Sequence, residues 1–226
     1  ETEDYLDLTR EINRIIGPAQ NDDSFDTVLQ MLRIKRRKIL ENAEGKLTVL
    51  KKLLHQQKDE IDFTLIFASA KGDVENEYRD DKKQILETHR ILDELGIIYH
   101  QITGDETKNI REMINIKENF KNRIHKVLTS MVVLDEGVDI PEIRQAFFLA
   151  SSTTKRSWVQ RRGRVLRTCD GKDKSVIHDF LVIPPSSAGD KATRRILEDE
   201  LTRLEEFANI AENNWTTGGP FKIVTS

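Results

Sequence analysis

Cysteine is almost absent: Cys169 is the single one in 226 residues. That excludes an internal disulfide and any cysteine-rich zinc centre. It fits a reducing cytoplasm, so a cytoplasmic or nucleoid-associated setting is expected. Long apolar runs are also missing. None approaches the roughly 20 residues needed to cross a bilayer, and no signal peptide is visible at the start of the chain. Glu1 is not a start methionine, and a fragment or processed chain is expected. No GxxxxGK[ST] phosphate loop occurs anywhere; Gly45-Lys46 runs on into Leu47 without the rest of the pattern. That absence argues against a self-contained nucleotide hydrolase. Internal repeats and low-complexity tracts are absent as well.

What the chain has is charge. Charged residues make up 33% of it, with Lys+Arg 36 against Asp+Glu 39 and a net charge of −3. The near-neutral sum hides strong local bias, and local bias governs what a surface attracts. RIKRRK at 33–38 and the segment 155–167 are basic; acids gather at 73–81 and 198–206. The length suits one globular domain with extensions, or two small domains.

Periodicity divides the chain. Residues 1–16 read as a helix, GPAQNDDS at 17–24 as a break, and 25–40 as a further helix. In KLTVLKKLL, Leu47, Leu50, Leu53 and Leu54 follow helical spacing. From Ile61 the rhythm changes to short β-rich runs at 63–68, 97–102, 126–133, 145–150 and 175–181, with helices expected over 82–95, 106–120 and 154–166. Continuous apolar strands alternating with helices predict an α/β layer domain, a parallel sheet covered on both faces. PPSSAGD at 184–190 ends it. Leu197, Leu201, Leu204, Ala208 and Ala211 then predict one long helix over 191–213. The expected domains are a helical extension 1–60, the α/β domain 61–185 and a helical extension 186–226. The outer helices are expected to pack together or to flank the sheet.

Open α/β sheets place ligands beyond the carboxyl ends of their strands. There the sequence puts Ser69-Ala70-Lys71, Thr103-Gly104-Asp105, LDEGVDIP at 134–141, and Ser151–Thr154 leading into WVQRRGRVLR. Small hydroxyls, glycines and cations on one edge suit phosphate oxygens. WVQRRGRVLR holds four arginines around Gly163 and no acid. Arg164 and Arg167, three apart, share a helix face, and Gly163 allows close approach of another backbone. Neighbouring guanidinium groups repel unless an anion lies between them. A γ-phosphoryl group in transfer is such an anion, and an arginine finger on it is worth roughly 10³–10⁵ in rate. A solvated basic helix meeting acidic side chains is the plainer alternative.

Taken in order, LIF at 65–67, ITGD at 102–105, VLTSMVVLDEGVDIP and QRRGRVLR resemble motifs IV, IVa, V and VI of the second RecA-like domain of superfamily 2 helicases and translocases. The resemblance covers about 61–183; the EGVDIP and QRRGRVLR pair is specific, the LIF and TGD pieces weak alone. It implies a RecA-like parallel sheet sandwiched by helices, the second lobe of a P-loop NTPase-like pair. It implies that Arg164 and Arg167 act as arginine fingers toward ATP with Mg2+, held mainly by an absent amino-terminal lobe. Gln160 and Arg161 complete motif VI and couple nucleotide state to domain closure. Gly137 and Asp139 occupy the motif V positions near the ATP ribose and the cleft. Thr129 and Ser130, with Ser69, Lys71, Thr103 and Gly104, match positions that contact a nucleic-acid backbone, contacts that position a strand without reading its sequence. No DEAD- or DEXH-type acidic tetrapeptide follows a strand, and the Asp135-Glu136 pair belongs to motif V. The resemblance therefore implies the carboxyl-terminal half of a longer motor, inactive as an ATPase by itself.

Other readings stay open. A noncatalytic nucleic-acid-binding or scaffold module reusing the fold is one, since fold alone does not fix function. Gln160 in place of histidine, and EGVDIP in place of ARGLD, depart from the DEAD-box RNA proteins and favour DNA as partner over RNA, although RNA motors share the glutamine form. RIKRRK reads equally as a nucleic-acid contact or a basic helix face. The acids at 73–81 read as an exposed loop. His100 and His178 lie in strand runs and read as structural. His55, His89 and His125 lack ligand spacing with cysteine or acids, and no metal site is expected. Trp158 reads as core or cleft packing, and Cys169 as a turn residue without a nearby base.

Overall fold

The structure, a computed structural model, describes residues 1–16, 23–68, 81–102, 106–131, 139–149, 155–189 and 191–214. The chain divides into two compact units, Glu41–Phe180 on the one hand and Glu1–Leu40 with Leu181–Ser226 on the other.

The unit Glu41–Phe180 is built on five parallel strands: β1 Thr64–Phe67, β2 Tyr99–Ile102, β3 Val127–Ser130, β4 Gln145–Phe148 and β5 Val176–Asp179. Their order across the sheet is β2-β3-β1-β4-β5. β1 and β3 are buried along their whole length, whereas the edge strands β2 and β5 are only half-covered. Central strands buried on both faces read as near-continuous apolar runs, which is why LIF in β1 and AFF in β4 carry no alternation.

Strand parity assigns the two faces. Ile66, Thr129 and Phe147 are register partners and share one face, covered by α3 Glu44–Gln56 and α4 Asp81–Glu94. Leu50 and Leu54 of α3 and Ile91 and Leu92 of α4 join Ile66, Val127, Phe147 and Leu149 in one core there. The opposite face carries Leu65, Phe67, Ser130 and Phe148, and receives α5 Ile110–Lys121 and α6 Lys155–Val165. Phe120 of α5 meets Phe63 edge-on, ring centroids 5.5 Å apart. Gly96, with φ 66°, ends α4: Gly96 N donates to Asp93 O at 3.0 Å and Ile97 N to Leu92 O at 2.9 Å. This left-handed cap delivers the chain to β2.

The continuous helix expected over 106–120 is broken at Asn109, whose extended backbone (φ −100°, ψ 103°) lets its side chain accept from Arg111 N and Glu112 N as an N-cap. The preceding residues, Glu106–Lys108, form a separate 3₁₀ turn.

In the other unit, α1 Thr2–Ile16, α2 Asp23–Glu41 and α7 Lys191–Ala208 are linked by polar contacts. The hydroxyls of Tyr5 and Thr193 share a hydrogen bond of 3.0 Å. Arg36 is 1% exposed; it donates to Thr9 Oγ1 at 3.0 Å and lies over the Tyr5 ring. One cation of RIKRRK is thus turned inward as a packing residue, while Arg33 and Lys35 face solvent. The compact units differ from a division at 60 and 186. Leu50 and Leu54 bury α3 in the sheet's core, so it groups with the sheet, and the segment from Leu181 groups with α1 and α2.

Two histidines anchor the α3–α4 face. His178 stacks on Phe147, centroids 4.4 Å apart, and the Gln145 amide donates to its Nε2 at 3.1 Å. His89 stacks on Tyr99. Burial lowers the pKa of both, so both are neutral in the fold. Their contribution to stability is complete above the unfolded-state value of about 6.5 and is lost as pH falls through the lowered folded-state values. The urea midpoint is expected to drop between about pH 7.5 and about pH 5.5. His178→Phe, which keeps the stack, is expected to flatten that drop, and an unchanged slope would contradict the assignment.

Candidate functional site

The register brings all five strand ends to one level. Ser130 pairs with Phe67 and with Ile102, Phe67 with Phe148, and Phe148 with Asp179. Every segment that leaves the sheet in the carboxyl direction starts from this one edge. Ser69, Lys71, Thr103, Gly104 and Gly137 lie outside the described residues, as does most of the acidic run at 73–81.

α6 is fixed to this edge by its own buried cation. Arg161 is 5% exposed, and its guanidinium lies over the Phe67 ring, 5.4 Å from the centroid. Phe67 is stacked on Phe148 at 5.1 Å. An arginine plane on an aromatic pair tolerates burial because guanidinium is weakly hydrated and stacks. Four residues on, Val165 is fully buried, and these two positions define the inward face of α6. The rest of the motif points elsewhere: Gln160 and Gly163 are exposed, and Arg164 is half-buried. A Cβ placed on Gly163 would have no described atom within 4 Å, so no described segment of this chain uses the close approach that glycine permits. Trp158 is helical in backbone; its side chain is outside the described set.

Arg167, just beyond α6, forms an ion pair with Asp139, both side chains about half exposed. The end of motif V and the end of motif VI therefore meet. The sequence after Asp139 explains how it is held: Ile140 and Ile143 are buried, and Ile143 N donates to Ile140 O across a tight turn.

Thr129 and Ser130 are separated by strand parity. Thr129 is 0% exposed on the α4 face, its hydroxyl sharing a 2.9 Å hydrogen bond with His89 Nε2. Ser130, 1% exposed, lies on the α6 face at the strand's end. Neither reaches solvent in this arrangement. Gly45-Lys46 also acquires a role: Lys46, 5% exposed, donates to Leu149 O at 2.7 Å and Glu41 O at 2.9 Å. It braces the carboxyl end of β4 through backbone carbonyls.

Two residues that the motif pattern passes over hold the end of α6. Ser175 Oγ donates to Val165 O at 2.9 Å. Lys172 Nζ donates to Val165 O at 2.7 Å, Arg167 O at 2.6 Å and Pro141 O at 3.1 Å. Helix carboxyl ends leave carbonyls unsatisfied and favour cations. Burial lowers the Lys172 pKa, followed by opposing effects of Cys169, which raises it, and Arg144, which lowers it. The sequence signal was Asp170-Gly171, a turn pair just after the helix. Gly171 has φ 72°, and Lys172 N donates to Cys169 O.

The family described as "Helicase conserved C-terminal domain" matches residues 45–169, more than half of the chain. The chain belongs to that family, and its fold is the RecA-like lobe of helicase carboxyl-terminal domains. Among curated relatives, the DNA 3'-5' translocase XPB2 of Sulfurisphaera tokodaii is 28% identical over 139 residues, 62% of this chain and 26% of the relative. A Methanocaldococcus jannaschii protein named as an ATP-dependent RNA helicase, MJ1505, is 31% identical over 163 residues, 69% of this chain and 18% of the relative. The chain thus spans about a quarter or less of the curated relatives it matches. In structure it is similar to the C-terminal domain of the DEAD-box protein Dbp5, with TM-score 0.50, 21% identity and coverage of 76% of this chain and 83% of that one. It is similar also to the C-terminal part of the Fun30 ATPase domain, with TM-score 0.50, 16% identity and coverage of 69% and 45%. No described helix is long and apolar enough to cross a membrane.

Two substitutions separate packing from surface charge. Thr129→Val leaves the His89 nitrogen without its partner and is expected to cost about 1–2 kcal/mol in urea unfolding. Asp139→Ala breaks only a half-exposed pair and is expected to change stability by less than about 1 kcal/mol. The reverse ranking would overturn this reading of the two positions.

Proposed function

We propose that this chain is the carboxyl-terminal motor lobe of an ATP-dependent superfamily 2 helicase or translocase, and that Arg164 and Arg167 are its arginine fingers. The observation that carries this is the docking of α6 on the carboxyl edge: Arg161 lies over Phe67, and Arg167 is paired with Asp139. The inward-facing Arg161 fixes the helix; Arg164 follows on it, half-buried, and Arg167, just beyond its end, is paired with Asp139.

The residues suit a polyanion. Arg164 and Arg167 offer planar, permanently charged donors that match phosphate oxygens. Asp139 holds Arg167 in one place and can accept from a ribose hydroxyl once Arg167 turns away. The described residues of this edge offer cations, and the metal-bearing half of the ATP site is assigned in this proposal to another lobe. Bound ATP with Mg2+ supplies the phosphoryl transfer that drives such motors. Alone, the chain is expected to bind ATP weakly and not to hydrolyse it. Gln160, exposed on α6, is the proposed coupling between the partner lobe and this helix. Ser69, Lys71, Thr103 and Gly104 are proposed contacts to nucleic-acid backbone, and Ser130 stands at the carboxyl end of β3. Thr129 acts from the interior, through His89 and α4. DNA is the favoured polymer, from Gln160 and EGVDIP.

The test is ATP hydrolysis by the motor that contains this lobe, with duplex DNA, single-stranded DNA, RNA or no polymer. Arg164→Ala is expected to lower stimulated turnover by about 10³-fold or more while ATP binding persists, and duplex DNA is expected to stimulate best. Turnover unchanged by Arg164→Ala would favour a noncatalytic binding module instead. Stimulation by RNA alone would overturn the DNA assignment and leave the motor reading intact.

A further inference from the structure

The end of α6 meets the tail of motif V through one side chain that belongs to neither motif. Lys172 Nζ reaches three backbone carbonyls: Val165 in the last turn of α6, Arg167 just beyond it, and Pro141 in the tail of motif V. The three distances, 2.7, 2.6 and 3.1 Å, are those of hydrogen bonds from an ammonium to carbonyl oxygens. An ammonium has three donors and no acceptor, and here each donor has its own carbonyl. The turn 169–172, with Gly171 left-handed, carries Lys172 back beneath the helix it has just left. On the other side of the same junction, Asp139 pairs with the Arg167 side chain. Arg167 is thus held at both ends, its carbonyl by Lys172 and its guanidinium by Asp139.

We infer that Lys172 is a positioning residue for the arginine finger at 167. It ties the backbone of Arg167 to Val165 and Pro141, so the guanidinium projects from a fixed point whether or not it is paired with Asp139. The side-chain pair is half exposed and must be broken for Arg167 to meet a phosphate. The Lys172 contacts are made to main-chain atoms and need not change. Without them the residues after α6 lose their only described side-chain tether to Pro141, and the finger's origin is no longer set. Ser175 shares one of the three carbonyls, that of Val165, and can hold the helix end without holding Arg167.

This inference rests on Arg167 being a finger, and the experiment separates the two. In the ATP-hydrolysing motor containing this lobe, kcat and KM for ATP are measured for Lys172→Met, Lys172→Arg, Ser175→Ala, Arg167→Ala and the double variant Lys172→Met/Arg167→Ala. Folding of each is followed by urea unfolding. Lys172→Met is expected to lower kcat by about 10- to 100-fold, with KM for ATP within about threefold of wild type. Ser175→Ala is expected to stay within about twofold in kcat. In the double variant, loss beyond Arg167→Ala alone is expected to stay within about twofold, because both changes remove the same function. Should Lys172→Met fail to fold, Lys172→Arg decides, since it keeps the charge and alters only the geometry: a lowered kcat at unchanged KM supports the inference, and wild-type kcat overturns it. Normal turnover in Lys172→Met beside a dead Arg167→Ala overturns the role of Lys172 and leaves the finger standing. Normal turnover in Arg167→Ala overturns both. Multiplicative loss in the double variant shows that Lys172 acts elsewhere and overturns the inference.

Discussion

The site depends on a hydrogen-bond ladder that levels five strand ends. β1 is flanked by β3 and β4, and Phe67, Ser130 and Phe148 stand in register beside one another. A slip of one residue in any of these pairings would carry Phe67 to the opposite face and leave Arg161 without its platform. With the register as it is, side-chain parity sorts the chemistry. The α3–α4 face is a mostly aliphatic core around Phe147, with neutral histidines at its margin. The α5–α6 face carries the aromatic pair on which a cationic helix rests.

That helix joins two kinds of arginine. Arg161 is buried and structural in position, although it belongs to the same motif as the half-buried Arg164 and the half-exposed Arg167. A helix cannot present a guanidinium to a partner with a defined origin unless something fixes its roll and its end. Arg161 and Val165 fix the roll by sharing one face of α6. Lys172 and Ser175 fix the end by taking up carbonyls that the helix leaves open. Arg164 and Arg167 are the arginines of the motif proposed to meet a phosphate.

Much of this was legible in the sequence. The five strands fall inside the five β-rich runs, and the central ones announce themselves as short apolar segments because they are buried on both faces. The motif order placed α6 and Asp139 in one neighbourhood, and the family assignment agrees. Other features were hidden for physical reasons. Strand order carries no local signal. Residues 1–60 read as a series of helices, so nothing in their periodicity says that α3 packs into the sheet's core. Thr129 and Ser130 look alike as neighbouring small hydroxyl residues; only the alternation of the strand, together with the position of His89, separates them. Arg36 reads as one of a basic run until Tyr5 and Thr9 are seen beside it. Lys172 was passed over because its partners are main-chain oxygens, which no side-chain pattern encodes.

The most direct measurement is a structure of the motor containing this lobe, trapped with an ATP transition-state mimic and nucleic acid. The predicted result has the guanidinium groups of Arg164 and Arg167 on the phosphate oxygens, with Arg167 turned away from Asp139 and Arg161 still over Phe67. A nucleotide bound with Arg167 still on Asp139, and with no α6 side chain reaching it, would contradict the assignment of this edge as half of an ATP site.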